Sequence, residues 1–207
     1  MALDWLKRRK ERESQRAALA HRIPAGQELT DKWPVLHYGD VPKFKPEAWD
    51  FSISGLVARP QRYTYEQFNA LPRVTETYDI HCVTGWSKLD NTWEGVRVRD
   101  LVEAAGPLPT ATFVMVHGEN DYTTNVPLDL LLEEGSLIAN QHNGQDIEPA
   151  HGWPYRLVLP RLYFWKSAKW VRSFELMDTN ERGFWERYGY HNNGDPWKEE
   201  RYSWQEG

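Results

Sequence analysis

The sequence predicts an α+β fold in which strands and short helices are mixed without βαβ regularity. In WDFSISG, the residues Trp49, Phe51 and Ile53 alternate with polar residues, which is the period of a half-buried strand. The following segment TYEQFNAL carries a helix start, because Thr64 can cap it and Gln67 can reach back as in a capping box. A strand pattern is thus followed directly by a helix pattern, and the sequence has no internal repeat, so we expect one mixed domain.

The remaining elements follow from the same periods and from turn residues. Strands are predicted in RVTETYDIHCV, ATFVMVHG, DYTTNV, PYRLVLP and KWVRSFELM, helices in VRVRDLVEAAG and PLDLLLEE, and a hairpin in SLIANQHNGQDI. Gly106 is expected to close the first helix, Pro127 to be the first residue of the second, and Asn143-Gly144 to form the hairpin turn. Cys82 then lies at the end of a strand, where the chain turns into a loop.

The two ends of the chain differ from its middle. Residues 1–30 are predicted to form a charged helical extension, and residues 31–207 a single domain with an aromatic C-terminal tail. The extension has five basic residues between Lys7 and Arg12 and little apolar stripe, so a solvated helix is expected, with binding to an acidic partner or membrane surface as the alternative. The tail carries large rings at Trp185, Tyr188, Tyr190 and Trp197. We expect these rings to pack on the sheet, with a place on a pocket rim as the alternative.

Composition excludes several classes of protein. The net charge is −5, which argues against a broad basic surface for nucleic acid. The mean hydropathy is −0.73 and no long apolar run occurs, so neither a membrane-spanning helix nor a secretory signal is expected. Arg8-Arg9 is followed by charged residues where a twin-arginine signal must be apolar, and a cytoplasmic protein is expected.

The single cysteine of the chain, Cys82, has three possible roles. An intramolecular disulfide and a zinc site made of several thiolates are excluded by the count. A buried apolar residue, a nucleophile paired with a histidine such as His81, and a ligand to a soft metal all stay open. The nicotinamide, P-loop, zincin and lipase motifs are absent from the sequence.

A second group of residues gathers between positions 143 and 171. Its basic members are His151, Arg156, Arg161, Lys166 and Lys169, and its small members are Gly152, Ser167 and Ala168. Cations beside residues that permit close backbone approach suit a phosphate-bearing ligand. The alternative is a solvated basic loop with ordinary ion pairs.

Three blocks occur in a fixed order: HCVTGWSKLDNTWEGVRVRDLVEAAG, DYTTNVPL, and NGQDIEPAHGWPYRLVLP with KSAKWV. With the weaker upstream WPVLHYGDVPKFKPEAWDFSISGLV, they resemble the molybdopterin-binding oxidoreductase domain of the sulfite oxidase type. That family also includes the bacterial methionine-sulfoxide reductase catalytic subunit. The resemblance covers roughly Trp33 to Met177, and it implies a sulfite-oxidase-type α+β fold with mixed sheets and short helices.

The resemblance also implies a cofactor and the residues that hold it. The implied cofactor is one pyranopterin dithiolene (molybdopterin) whose two sulfurs, together with Cys82, bind molybdenum. Tyr122 matches the tyrosine that faces the metal in sulfite oxidases. The implied cofactor-binding residues are His37, Tyr38, Gly39, His117, His151, Arg156, Lys166, Ser167, Ala168 and Lys169.

Departures from the pattern bear on the substrate. After Cys82 the chain reads VTGWSKLDN, without the arginine cluster of sulfite oxidases, so Lys88 is the only nearby cation for substrate charge and sulfite is disfavoured. We expect a stand-alone oxidoreductase that catalyses two-electron oxygen-atom transfer on a small oxo-compound and exchanges electrons with a separate redox partner. The alternatives are a non-catalytic carrier of the cofactor and an interaction domain without a cofactor.

Overall fold

The structure, a computed structural model, describes residues 18–207. Most of the predicted charged extension therefore lies outside the described residues. Within the remainder of the extension, residues 20–22 form a 3₁₀ turn and residues 28–29 form a short strand that joins the sheet of the main domain. No helix in the described part of the chain is long and apolar enough to cross a membrane.

In the described part of the chain, eleven strands form two sheets. The strands are β1 (Glu28–Leu29), β2 (Asp50–Gly55), β3 (Gln61–Thr64), β4 (Val74–Cys82), β5 (Trp86–Arg97), β6 (Phe113–Gly118), β7 (Thr123–Pro127), β8 (Leu137–His142), β9 (Gln145–Asp146), β10 (Arg156–Val158) and β11 (Val171–Met177). One sheet has the order β1-β5-β8-β10, with β4 on β5 and β9 on β8; the other has the order β3-β2-β11-β6-β7. The pairs β1–β5 and β2–β11 are parallel and all other pairs are antiparallel, so both sheets are mixed as expected.

Among residues 18–207, four short α-helices connect these strands: α1 (Tyr65–Asn69), α2 (Val98–Ala105), α3 (Leu128–Leu131) and α4 (Phe184–Arg187). The predicted capping box of α1 is present, since Thr64 N donates to Gln67 Oε1 at 2.9 Å and Gln67 N donates to Thr64 Oγ1 at 3.3 Å. Gly106 closes α2 in the left-handed region at φ 67°, as predicted. The hairpin turn at Asn143-Gly144, with φ of 51° and 75°, is also confirmed.

One strand was missed, and the predicted starts of two helices were wrong. The twelve-residue strand β5 was not predicted, because its polar residues and its bulge at Asp90 (φ 54°) break the period of two. It extends to Arg97, so α2 begins at Val98 rather than at Val96. Pro127 is the last residue of β7 and the N-cap of α3, not the first helical residue.

The core has one large cluster and two smaller ones. The large cluster includes inward-facing residues of both sheets and of α2, such as Phe51, Leu101 and Phe174. A second cluster surrounds Trp93. The third contains Val83, Tyr163 and Trp165, with Trp185 and Tyr190 of the tail packed against it. The tail is thus part of the fold, and the cluster against which it packs includes Val83, the residue after Cys82.

Candidate functional site

A cavity of about 330 Å³ opens at the end of β4. Four chain segments contribute to its wall, together with the side chains of Arg156 on β10 and of Tyr122, the residue before β7. The residues that line the cavity include Trp33, His37, Tyr38, Cys82, Val83, Thr84, Trp86, Tyr122, Arg156, Phe164, Trp165, Ser167, Ala168, Lys169, Trp170, Trp185 and Tyr190. The strand end and the basic segment noted in the sequence therefore meet at one place.

Cys82 lies in the wall of this cavity as the last residue of β4. Its main-chain carbonyl accepts hydrogen bonds from Gln27 Nε2 at 3.1 Å and from Gly85 N at 3.0 Å, which fixes the turn after the strand. Its thiol is 3.1 Å from the hydroxyl of Thr84. Burial raises the pKa of the thiol, and the hydrogen bond with Thr84 opposes that rise. The sulfur is held by its backbone while facing a cavity, which suits a metal ligand.

Arg156 is the buried cation of the site, with 1% of its surface exposed. Its guanidinium donates to the main-chain oxygens of His151 at 2.7 Å and Ser167 at 2.9 Å, and it lies 4.2 Å from the ring centre of Phe164. Burial lowers its pKa to about 9, so it is charged at neutral pH. No carboxylate of the described residues forms an ion pair with it, which leaves a buried charge facing the cavity.

Ser167, Ala168 and Lys169 form the wall beside Arg156. The side chains of Ser167 and Ala168 are small, and the hydroxyl of Ser167 accepts from Leu159 N at 2.9 Å. The ammonium of Lys169 donates to Ala150 O at 2.6 Å. Burial, and next the charge of Arg156, lower the pKa of Lys169 to about 7. We call Arg156, Ser167, Ala168 and Lys169 the cation end of the cavity.

Lys166, predicted to bind the cofactor, does not line the cavity. Its ammonium is fully buried and lies 2.7 Å from Glu186 Oε1, and it also donates to the main-chain oxygens of Asn125 and Asn192, both at 2.7 Å. The tryptophan next to it, Trp165, donates from its ring to the same Glu186 oxygen at 2.9 Å. Lys166 therefore fastens the tail to the domain.

Tyr122 lines the cavity as predicted for a residue that faces the metal. Its hydroxyl donates to the main-chain oxygen of Trp165 at 2.5 Å. Burial, and next the charge of Glu186, raise its pKa well above the usual value, so the phenol stays protonated. Because its proton is directed at a carbonyl, the hydroxyl offers an acceptor to a ligand in the cavity.

His37, Tyr38 and Gly39 lie in the irregular segment that passes over the cavity. His37 and Tyr38 line it, whereas Gly39 supports the turn at φ 71°. The carbonyl of Gly39 accepts a hydrogen bond from His37 Nδ1 at 2.9 Å. His151 stacks on the ring of Trp33, with ring centres 3.9 Å apart, and so contacts the wall from behind. His37 and Tyr38 thus line the cavity, whereas Gly39 and His151 lie outside its lining.

Three basic residues singled out in the sequence lie elsewhere. His117 on β6 is 3.3 Å from Glu175 across the sheet. Lys88 on β5 donates to Asn91 at 2.5 Å, and Arg161 forms an exposed ion pair with Glu133 at 3.4 Å. None of the three lines the cavity.

Aromatic side chains of the wall were the residues least visible in the sequence. The high aromatic content indicated that some rings line a concave site, but it did not identify Trp33, Trp165 or Trp170. Trp185 and Tyr190 of the tail pack against a core cluster, and they also line the cavity, which was the alternative for these rings. The sequence contained part of this information. Several large rings lie close together in the tail without the period of a strand or a helix, which indicates that they are buried against another surface.

The fold and the site define a mixed α+β domain that presents one thiol and one uncompensated buried cation in a single cavity. Among the residues described, no three His, Cys, Asp or Glu side chains gather as a metal site, so a metal here would need most of its ligands from a bound group. Residues 38–185 match the family "Oxidoreductase molybdopterin binding domain". The chain belongs to this family and is an oxidoreductase of the sulfite oxidase type.

Relatives extend this assignment. The chain is 50% identical over 184 residues to the uncharacterized oxidoreductase YuiH of Bacillus subtilis (strain 168), which covers 88% of this chain and 93% of the relative. It is 29% identical to the protein-methionine-sulfoxide reductase catalytic subunit MsrP of Gluconobacter oxydans, over 74% of this chain and 56% of that protein. The sulfane dehydrogenase SoxCD of Paracoccus pantotrophus has a similar fold, with a TM-score of 0.64, 22% identity, and coverage of 74% of this chain and 43% of that chain.

Proposed function

We propose that this chain binds molybdopterin with molybdenum, uses Cys82 as the protein ligand, and catalyses two-electron oxygen-atom transfer on a small oxo-compound. The observation that carries the proposal is the buried Arg156, which faces the same cavity as Cys82 without a carboxylate partner among the described residues. A buried charge of this kind costs several kcal/mol unless a ligand supplies the opposite charge.

The residues of the cavity fit such a cofactor in charge and in chemistry. Molybdopterin carries a phosphate, and the cation end offers a guanidinium and an ammonium, while no Asp or Glu side chain of the described residues lines the cavity. Ser167 and Ala168 are small enough to permit close approach of a ring system. Cys82 supplies one soft ligand, which suffices when the dithiolene supplies two more.

The chain's own side chains then have distinct roles. Arg156 and Lys169 hold the anionic end of the cofactor, and Cys82 orients and tunes the metal. The hydroxyl oxygen of Tyr122 would accept a hydrogen bond from a water molecule beside the reacting atoms, since its own proton is held by Trp165 O. Aromatic walls exclude water from the reacting atoms. When bound, the cofactor supplies a centre that exchanges two electrons together with an oxygen atom, and a separate redox protein takes or delivers these electrons one at a time.

Metal and pterin analysis of freshly purified protein tests this proposal. After expression in a host that makes the cofactor, we expect about one molybdenum and one pterin per chain. The Arg156→Met variant should lose most of both, and the Arg161→Met variant, which removes an exposed arginine outside the cavity, should keep them. Absence of molybdenum and pterin from the folded wild-type protein would overturn the proposal. Loading without turnover, with rapid transfer to other apoproteins, would favour the carrier alternative.

A further inference from the structure

Three aromatic side chains form one side of the cavity, and two of them come from the tail. Trp185 and Tyr190 are stacked at an interplanar angle of 26° with ring centres 5.4 Å apart, and Tyr190 lies 5.0 Å from the ring of Trp165. We call these three residues the tail wall. Tyr190 lies beyond the family match, which ends at residue 185.

The tail wall adjoins Cys82. Val83, the next residue along the chain, is buried in the same apolar cluster as Trp165, against which Trp185 and Tyr190 pack. Cys82 and the tail wall line the same cavity, so the tail wall is an available surface for a substituent of a molecule that binds beside the sulfur.

The tail wall presents no charge to the cavity. The charged side chains that line the cavity are Arg156 and Lys169, and both belong to the cation end. Lys166 and Glu186, which lie behind the wall, are paired with each other and fully buried. An oxyanion placed against the wall would lose its hydration without gaining a partner, whereas a neutral ring would gain contact area and ring stacking.

The tail wall is also held in place before any ligand arrives. Glu186, next to Trp185, accepts hydrogen bonds from Trp165 Nε1 at 2.9 Å and from Thr124 Oγ1 at 2.7 Å, besides its pairing with Lys166. Gly183 lies so close to β7 that a Cβ there would be 2.5 Å from the Cα of Thr124. A wall fixed in this way binds a flat group at little ordering cost.

We propose that the tail wall is a subsite for one substituent of the substrate, and that it selects neutral oxo-compounds carrying an aromatic group over small oxyanions. This inference rests on the proposed function. For an aryl sulfoxide, the sulfur–oxygen bond breaks, two electrons from the external redox protein and two protons are consumed, and the products are the thioether and water.

Calorimetric binding to the molybdenum-loaded protein tests the subsite without relying on turnover. Three unreactive probes differ by one property each: methyl phenyl sulfone is neutral and aromatic, dimethyl sulfone lacks the ring, and benzenesulfonate carries a charge. We expect methyl phenyl sulfone to bind about tenfold more tightly than either of the others, in line with the worth of a buried aromatic contact. Equal or tighter binding of benzenesulfonate, or no binding of any probe, would overturn the subsite.

Two variants locate the effect on the wall. Trp185→Leu should bring the affinity for methyl phenyl sulfone down to that for dimethyl sulfone, while Trp204→Ala, which removes a tail tryptophan that is 79% exposed and outside the cavity, should leave it unchanged. Unchanged binding of methyl phenyl sulfone by a folded Trp185→Leu protein would contradict the subsite. If that variant does not fold, the order of affinities of the three probes for the wild-type protein still tests the proposal. Molybdenum content is measured on the same samples. Its absence from the wild-type protein refutes the proposed function, whereas a loaded protein with the wrong ranking refutes only the subsite.

Discussion

The cation end and the tail wall of the cavity differ in how their buried charges are compensated. At the cation end, Arg156 is held by main-chain carbonyls and faces the cavity without a carboxylate partner in the described chain. At the tail wall, Lys166 and Glu186 neutralise each other out of reach of the cavity. Charge left uncompensated at the first place is available to a ligand, whereas charge paired at the second place stabilises the fold. Lys166 and Lys169, three positions apart in the sequence, fall on different sides of this division.

The largest effect is expected where the two regions meet, at Cys82. The Cys82→Ser variant should lose turnover by about 100-fold or more, because even outer partners of metal ligands are worth roughly 10- to 100-fold. The pterin should be retained, since the cation end is unchanged. Steady-state kinetics with an artificial electron donor, together with pterin analysis, measure both quantities. Activity close to wild type would show that Cys82 is not the ligand.

Removal of one partner from the buried ion pair of Lys166 and Glu186 should have the next largest effect. Glu186→Gln keeps an acceptor for Trp165 and Thr124 but leaves the ammonium of Lys166 unpaired, so we expect the free energy of unfolding to fall by about 3–5 kcal/mol. The double variant with Lys166→Met removes both charges and should recover much of that loss. Urea denaturation of the three proteins measures the difference. A single variant as stable as wild type would mean that the pair does not fasten the tail.

A smaller, pH-dependent effect is expected from Lys169 at the cation end. Because the pKa of Lys169 is lowered to about 7, its ammonium loses its charge as the pH rises from 6 to 8, while Arg156, with a pKa of about 9, stays charged. Affinity for an anion should therefore fall over this range, by about tenfold per pH unit at most. Sulfate, which does not titrate there, is a suitable probe for the cofactor-free protein in calorimetry.

The matched control for this titration is Lys169→Met. It should bind sulfate weakly and with little change between pH 6 and pH 8, since the charge that varies is gone. If the wild-type protein and Lys169→Met show the same dependence on pH, another group is responsible, and His151 at the back of the wall would be the first to test.

The smallest effects should come from the predicted residues that the structure places outside the cavity. His117→Ala and Lys88→Met change side chains that pair with Glu175 and Asn91, respectively. We expect each to alter molybdenum content and turnover by no more than about twofold, as for substitutions away from special features. A large loss of turnover in Lys88→Met would instead support the role in substrate charge that its position after Cys82 suggested.

Local signals in the sequence predicted much of the fold. The capping box at Thr64 and the left-handed Gly106 are contacts between near neighbours, so the residues that make them stand together in the sequence. The strand β5 was missed because it pairs with three other strands and its pattern is interrupted. Gly95 shows the reason: a Cβ there would lie 2.4 Å from Ile138 O, so the glycine serves a close approach to β8 rather than a turn.

The site was predicted where it depends on residue type and missed where it depends on orientation. Cys82 at a strand end and Arg156 in a basic segment were both visible, and both line the cavity. Lys166 was grouped with Lys169 because the sequence does not show which way adjacent side chains of an irregular loop point. Trp185 and Tyr190 were not assigned to the wall because the residues with which they share the cavity include Cys82, which is more than a hundred positions away in the sequence.

The distance along the chain between Cys82 and the tail wall has a consequence for biosynthesis. Cys82 is made about a hundred residues before Tyr190, and at roughly 5–20 residues per second Cys82 is synthesised about 5–20 s before the last ring of the wall. During that time the cavity is incomplete and the thiol meets the surrounding solution without its cover. The closed pocket is thus a product of the finished polypeptide, and a cofactor can be enclosed by the tail only after translation has passed residue 190.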